Sequence, residues 1–414
     1  MRRSRARTPS VACGFTMTPE SRGPRADSEI GVVAILAITA FVVAGGIHYQ
    51  SPMLVAIAAE FQVDAATAGW IPTLSFAGML AGMILLVPLG DRLDKRSLIL
   101  WQFSVLAIAQ AVMALAPSVW VLVAASFVTG ICSSLAQLMI AIVADIARPN
   151  ERGRAVGTQL SALFVGILFA RIAGGLIAEH FGWRFSYVLS TGMHLALAPL
   201  LMARLPRSQP RTSASYRALL WSMIELLRLH ADVRRTVGMQ FLLGMCYGGF
   251  WATVAPMLAG FHRLGPAEAG LIGIPGAAGI LVARPAGRWM DRSGPVPVVT
   301  VGVSGLIAAW ATMGLSSWSI AVVVVGAILL DCGLRATMVA NQTLVNSALP
   351  DSRARANTLF GAHVWAGNAT GAFVASSTYA VLGWTAVCII CMTSASIALA
   401  IHLVAARKRA RSRS

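Results

Sequence analysis

Charge is what this chain has least of. Only 12% of its 414 residues are Asp, Glu, Lys or Arg, against 57% hydrophobic, whereas a soluble globular chain carries about 25% charged residues. That shortage excludes an ordinary water-soluble enzyme. Acids are the scarcer sign, 16 against 33 Lys and Arg, and Lys occurs only at Lys95 and Lys408. In a soluble chain a net charge of +17 would point to nucleic acid. In one this apolar it reports which loops stay on the cytoplasmic side of a membrane, and no nucleic-acid partner is expected. The phosphate loop Gly-x4-Gly-Lys-Ser/Thr and the zinc motif His-Glu-x-x-His are also missing. Without an ATP site the chain must draw on an ion or substrate gradient, and no cofactor is expected. Cys388-x-x-Cys391 lies in an apolar run with no second Cys or His pair, so no metal or redox centre is expected there.

What is present is a series of long uncharged stretches. A membrane-spanning helix needs about 20 predominantly apolar residues. No charge occurs from Ile30 to Ala59 or from Ala65 to Gly90, which gives helices 1 and 2. The stretch from Ser97 to Ala144 holds helices 3 and 4, divided by the turn at Pro117 and Ser118. Further spans fall near 154–178, 183–203, 236–261, 267–286, 296–315, 318–346, 356–380 and 384–406. The fold class is therefore all-α integral membrane, with twelve transmembrane helices.

The cations sort by loop. With the N-terminus inside, nearly all loop cations fall on one side, and only Arg184 and Arg263 fall on the other. A bacterial inner membrane protein with both termini cytoplasmic is expected. Residues 1–28, rich in Arg, Pro and Ser, read as a disordered tail rather than a cleaved signal peptide, and residues 407–414 as a basic tail.

Self-comparison shows a duplication. Arg148-Pro-Asn-Glu-Arg152-Gly-Arg154-Ala155 matches Leu349-Pro-Asp-Ser-Arg353-Ala-Arg355-Ala356 at an offset of 201, and Gly182-Trp183 recurs as Gly383-Trp384 at the same offset. Asp91-Arg92 recurs as Asp291-Arg292 at 200. The expected organisation is two six-helix bundles, 29–203 and 236–406, joined by a cytoplasmic linker, 204–235, in which Tyr216 to His230 can form an amphipathic surface helix.

These residues resemble the major facilitator superfamily, whose signature after helices 2 and 8 is Gly-x-Leu-x-Asp-Arg-x-Gly-Arg-Lys or Arg. The second copy keeps both glycines, Gly287 and Gly294, with Asp291 and Arg292. The first has Val87 and Asp94 in their place but keeps Leu89, Asp91, Arg92, Lys95 and Arg96. The resemblance implies a gating latch, with Asp91, Arg92, Arg96, Gly287, Asp291, Arg292, Arg152 and Arg353 as its candidates. An Asp at a helix end facing Arg on a neighbouring helix can open and close. The plainer reading is that these loops only set topology. Helix 5 is similar to that of antiporters, with Gly157, Gly166, Gly174 and Gly175 at matching spacing and Ala170-Arg171 in place of Gly-Pro. The plainer reading there is close helix packing. In drug/proton antiporters an acid stands four residues before the helix 1 proline. Here that position, four before Pro52, is His48.

Ionisable groups at membrane depth cost about 2.5–3.5 kcal/mol each on insertion scales. Asp331 with Arg335 at i+4 makes a pair, either a structural ion pair or part of the substrate site. Arg171 stands eight residues before Glu179, about 12 Å inside the membrane by helical rise. Polar and aromatic residues expected to line a central cavity are His48, Tyr49, Gln50, Gln137, Tyr247, Trp251, Gln342, His363 and Asn368, together with Arg171, Asp331 and Arg335. Tyr247 and Trp251 share one helix face, as packing or as a stacking platform for a planar compound.

The function expected is secondary transport of a small molecule by a monomer in the lipid bilayer, with protons as coupling ion. Helix 5 leans towards antiport and efflux of drugs or metabolites. Three Arg, Arg171, Arg284 and Arg335, against one Asp at membrane depth lean towards an importer of an anionic or neutral nutrient. His48, which can titrate near neutrality, is the expected proton carrier, because Asp331 is already paired. A sensor or enzyme is disfavoured by the duplicated halves.

Overall fold

The computed structural model describes residues 24–208, 215–349 and 352–411. Among these, eleven helices are long and apolar enough to cross a membrane: Gly31–Phe61, Ala65–Asp91, Lys95–Ala114, Val119–Ile146, Arg152–Phe181, Trp183–Arg204, Ala231–His262, Pro266–Ser293, Pro295–Met313, Ile320–Ala348 and Arg355–Lys408. The first ten are helices 1 to 10. The last, at 54 residues, is long enough to cross twice and is broken at Gly383, where φ is 76° and ψ −172°. A backbone of that shape is open essentially only to glycine. Residues up to 382 form helix 11 and those from 384 form helix 12, so the chain makes twelve passes. The expected amphipathic helix of the linker runs Tyr216–Leu229. Helix 1 extends back to Pro24, five residues into the segment expected to be a tail up to residue 28. The remainder of that tail, 1–23, and the end of the C-terminal tail lie outside the described residues.

Lipid gives no hydrophobic reward for helix association, so small residues that bring backbones together do much of the packing. Gly78 of helix 2 lies against the Phe127 carbonyl of helix 4, and Gly130 of helix 4 returns the contact at Ser75. Helices 7 and 11 pair in the same way: Gly367 lies against Phe241, and Gly371 against Met245. Each half has apolar cores of its own, one built on Trp251, Phe250 and Trp310, another on Leu36, Phe103 and Met139. A smaller cluster of Phe76, Ala252, Ala369 and Ala372 joins the two halves.

Two irregularities position the site. Pro52 has no N–H for the His48 carbonyl four residues earlier, and residues 47–49 form a turn between helical segments Pro24–Gly46 and Gln50–Phe61. Helix 8 is interrupted between Leu271 and Ala278, around Gly273-Ile-Pro-Gly276.

The halves meet unevenly along helices 5 and 8. Gly175 of helix 5 lies against the Pro266 carbonyl at the start of helix 8, and Gly270 against the Arg171 carbonyl. Gly157 is eighteen residues, about five turns, before Gly175 and so shares its face, yet nothing approaches within 4 Å of where its Cβ would stand. The two helices are therefore joined at the end remote from the cation-rich loops and diverge towards the basic end.

Candidate functional site: a charged centre between the two halves

Arg171 leaves helix 5 towards helix 7 and is only 4% exposed. Its guanidinium lies 3.3 Å from the centroid of the Trp251 ring, and its Nη2 donates to the Tyr247 hydroxyl at 2.9 Å. The i, i+4 spacing of Tyr247 and Trp251 gives the guanidinium a flat face and an acceptor from one helix. A stacked, hydrogen-bonded Arg is less costly to bury than a bare one.

Across the cleft, Arg335 donates from Nε to Asp331 Oδ1 at 3.2 Å. Its guanidinium carbon also lies 4.9 Å from the centroid of the Phe164 ring, which helix 5 contributes. Helix 8 makes room for the pair with glycine. A Cβ on Gly276 would stand 3.2 Å from Asp331 Oδ2 and 3.3 Å from the Trp251 ring, and one on Gly279 would press on the Asp331 carbonyl and the Arg335 stem. Phe164, Arg171, Gly276, Asp331 and Arg335 line one cleft between helices 5, 8 and 10.

Two guanidinium groups against one carboxylate leave this centre with one net positive charge. Two buried donors, Arg171 Nε and Trp251 Nε1, have no partner among the described residues. A buried donor without an acceptor costs about 1–3 kcal/mol, so the centre is suited to a group that brings negative charge and acceptor oxygens.

Of the expected cavity residues, Arg171, Tyr247, Trp251, Asp331 and Arg335 come together here. His48 is buried at the helix 1 turn, its Nδ1 against the Ala44 carbonyl at 2.8 Å. Tyr49 and Gln50 do not join the centre. Tyr49 packs between Gly45 and Gly174, and Gln50 accepts from Ser75 of helix 2 at 3.2 Å while its amide donates to the Ile47 carbonyl. Gln342 donates to Asn357 on helix 11 at 3.3 Å, and His363 Nδ1 lies 2.8 Å from the Leu359 carbonyl. Asn368 lies against Gly244 and Gly248 of helix 7. Gln137 is half-buried with no side-chain hydrogen bond among the described residues. The helix 5 glycines divide: Gly166 and Gly174 pack on helix 1 and Gly175 on helix 8, while Gly157 meets nothing.

The latch expected at the basic end is not assembled in this conformation. Asp91, Arg92, Asp291 and Arg292 form no ion pair among the described residues, Gly287 has open space around it, and Arg353 is exposed. Arg96 donates to the Met202 carbonyl at 2.6 Å, and Arg152 borders a recess with Lys95 and Asp145, which are paired at 3.2 Å. The opposite end is fastened by a contact the sequence reading missed. Glu179, at the end of helix 5, accepts from the Ala267 N–H in the first turn of helix 8 at 3.0 Å. That carboxylate favours the positive end of the helix dipole. Phe164, Gly276 and Gly279 were also missed. Phe164 is seven residues before Arg171, hence on its face, and that spacing is the signal that could have found it.

The Major Facilitator Superfamily model matches residues 36–231 and 236–414. The chain belongs to that superfamily. It is 29% identical over 382 residues to the uncharacterized transporter YgaY of Escherichia coli O157:H7, covering 92% of this chain and 96% of that protein. It is 27% identical over 314 residues to the 3-(3-hydroxy-phenyl)propionate transporter of Escherichia coli K12, covering 73% and 74%. Among solved structures, a point mutant of the nucleoside transporter NupG superposes with a TM-score of 0.76 at 14% identity, covering 91% of this chain and 99% of that one, a likeness of fold. This superfamily member is a membrane transporter and not an enzyme.

Proposed function

We propose that this transporter carries a small organic anion, with an aromatic carboxylate as the best-fitting class, and couples its movement to a proton. The observation that carries the reading is the net positive centre with unsatisfied donors at Arg171 and Trp251. A carboxylate would supply the missing acceptors, and the rings of Phe164, Tyr247 and Trp251 around the two guanidinium groups give the centre aromatic walls. The relative named for 3-(3-hydroxy-phenyl)propionate, itself an aromatic carboxylate, supports the same class.

Coupling follows from competition. The substrate carboxylate and Asp331 seek the same guanidinium groups. A proton on Asp331 frees Arg335 for the substrate, so proton and anion bind together and an inward proton gradient drives uptake. His48, the carrier expected from sequence, is turned back on its own helix, whereas Asp331 touches the arginine the substrate needs. Of the helix 5 glycines on which the efflux reading rested, Gly166, Gly174 and Gly175 pack helices together, a role that favours neither direction. We place the basic end in the cytoplasm of a bacterial cell, so helices 5 and 8 diverge towards the cytoplasm. One chain supplies both sides of the centre, so a monomer suffices.

The test is uptake of labelled aromatic carboxylates into proteoliposomes under an imposed pH gradient. Arg171→Gln should lower kcat/KM by about tenfold to a hundredfold, the loss of one or two charge-assisted hydrogen bonds. Asp331→Asn should keep substrate exchange but lose proton-driven accumulation, while His48→Gln keeps both. Full accumulation by Asp331→Asn with loss in His48→Gln returns the proton to His48. Transport of organic cations in preference to anions ends the proposal.

A further inference from the structure

A recess of about 370 Å³ opens at the basic end of the N-terminal half, where helices 3, 4 and 5 meet the segment leaving helix 6. Its polar lining is Lys95, Asp145, Arg152, Arg207 and Ser208. All of these belong to the N-terminal half or to the start of the linker that leaves it, so the recess is separate from the centre between the halves. The walls are tied in place. The Lys95 side chain is 3% exposed and its Nζ lies 3.2 Å from Asp145 Oδ2. The Lys95 N–H donates to the Ser208 hydroxyl at 2.8 Å, and the Ser208 N–H donates to Asp94 Oδ1 at 2.7 Å.

Three cations, Lys95, Arg152 and Arg207, stand against Asp145 in the lining and Asp94 behind Ser208, so the recess stays net positive. Arg152 and Arg207 are exposed, and neither makes a hydrogen bond or ion pair among the described residues. A guanidinium fork matches two phosphate oxygens, and Ser208 adds a hydroxyl.

Exposed apolar side chains occur on the same elements, helices 3 and 6 and the loop before helix 3. Leu93 is 49% exposed, Trp101 on helix 3 is 52% and Met202 at the end of helix 6 is 59%. The Arg96 guanidinium, next in sequence to Lys95, is bonded to the Met202 carbonyl. Exposed Trp near the end of a transmembrane helix marks the level of lipid head groups, and cationic pockets at that level suit anionic lipid.

We infer that this recess holds the phosphate of an anionic phospholipid from the leaflet at the basic end, with the acyl chains lying over Leu93, Trp101 and Met202. The shared chemistry, a phosphate anion, could also come from free phosphate, and the experiment separates the two. Purified full-length protein is equilibrated with equal amounts of phosphatidylglycerol and phosphatidylcholine, and retained lipid is read by native mass spectrometry. Wild type should prefer phosphatidylglycerol by about fivefold for each engaged cation. Arg207→Gln should lose about fivefold of that preference, Arg207→Glu more, and Arg263→Gln, at the opposite end, none. Arg207 is exposed, and unchanged melting of its variants will show that they fold. Equal retention of the two lipids by wild type, or an undiminished preference in both Arg207 variants, overturns the inference. In lipid-free micelles, millimolar inorganic phosphate should raise the melting temperature less than phosphatidylglycerol does. An equal rise would assign the recess to a free anion and overturn the lipid.

Discussion

At position 94 the first signature loop has Asp where the second, 200 residues later, has Gly294. Each residue starts the helix that follows, by different means. Asp94 is extended, with φ −61° and ψ 115°, and its carboxylate accepts from the Arg96 N–H at 3.2 Å and the Ser97 hydroxyl at 3.1 Å. It also reaches beyond its own helix to the Ser208 N–H. Gly294 has no side chain to cap with and enters helix 9 at φ 75°, ψ 177°. Beside Asp94, Lys95 is buried against Asp145. Beside Gly294, Asp291 and Arg292 are exposed and bond to nothing among the described residues. The first loop is fastened to its own bundle and the second is not. Duplicated charges thus survive with unequal roles, and the departure from the glycine signature marks the fastened copy.

The largest difference between the loops should appear in turnover. A fastened loop presents Asp91 from a fixed place when the basic end closes, whereas Asp291 rides on a loop without such ties. Asp91→Asn should cut transport by about tenfold, the equivalent of one charge-assisted hydrogen bond, at unchanged surface expression, and Asp291→Asn by less. Equal rates for the two variants would break the comparison, and normal rates for both would leave the loops as topological signals only.

Next in size is an exchange of the two helix starts. Gly294→Asp places a side chain where the backbone is open essentially to glycine, at a cost of about 1–3 kcal/mol. Asp94→Gly removes one cap, for which about 1 kcal/mol is typical. Thermal melts should therefore fall further for Gly294→Asp. The reverse order would show that the Ser208 tie outweighs backbone strain.

These loops also show what sequence can and cannot carry. Gaps between charges located all twelve passes, because lipid excludes unpaired charge whatever the packing. Arg171, Asp331, Arg335, Tyr247 and Trp251, which the structure brings together, could be picked out for a related reason: a buried guanidinium needs an acid, an acceptor or a ring. Tyr49 and Gln50 stand apart from the centre because the turn at 47–49 directs them to Gly45, Gly174 and Ser75, contacts that no local pattern in helix 1 announces. The bond from Glu179 to helix 8 was invisible because its partner is a backbone N–H, which no sequence motif records. Asp94 could be seen to replace a glycine, but its reach to Ser208 crosses 114 residues.

The smallest expected effect is on acid stability, and it isolates Asp94. Burial alone would raise this carboxyl. Bonds from Ser208, Arg96 and Ser97 outweigh it and hold the group below its ordinary range. A carboxyl lowered by folding stabilises the folded state above its unfolded value, about 3.9. That contribution disappears as pH falls through the lower folded value. The melting-temperature gap between wild type and Asp94→Asn should therefore be steady from neutrality to about pH 5 and narrow below about pH 4. It should be small, because the carboxylate is partly open to water. Gly294→Asn changes no titrating group, so its gap from wild type should stay constant over the same range. A gap for Asp94→Asn that is equally flat would mean that the charge on the carboxylate adds nothing to stability, and that the first loop is held by its other ties, Lys95 to Asp145 and Ser208, and Arg96 to Met202.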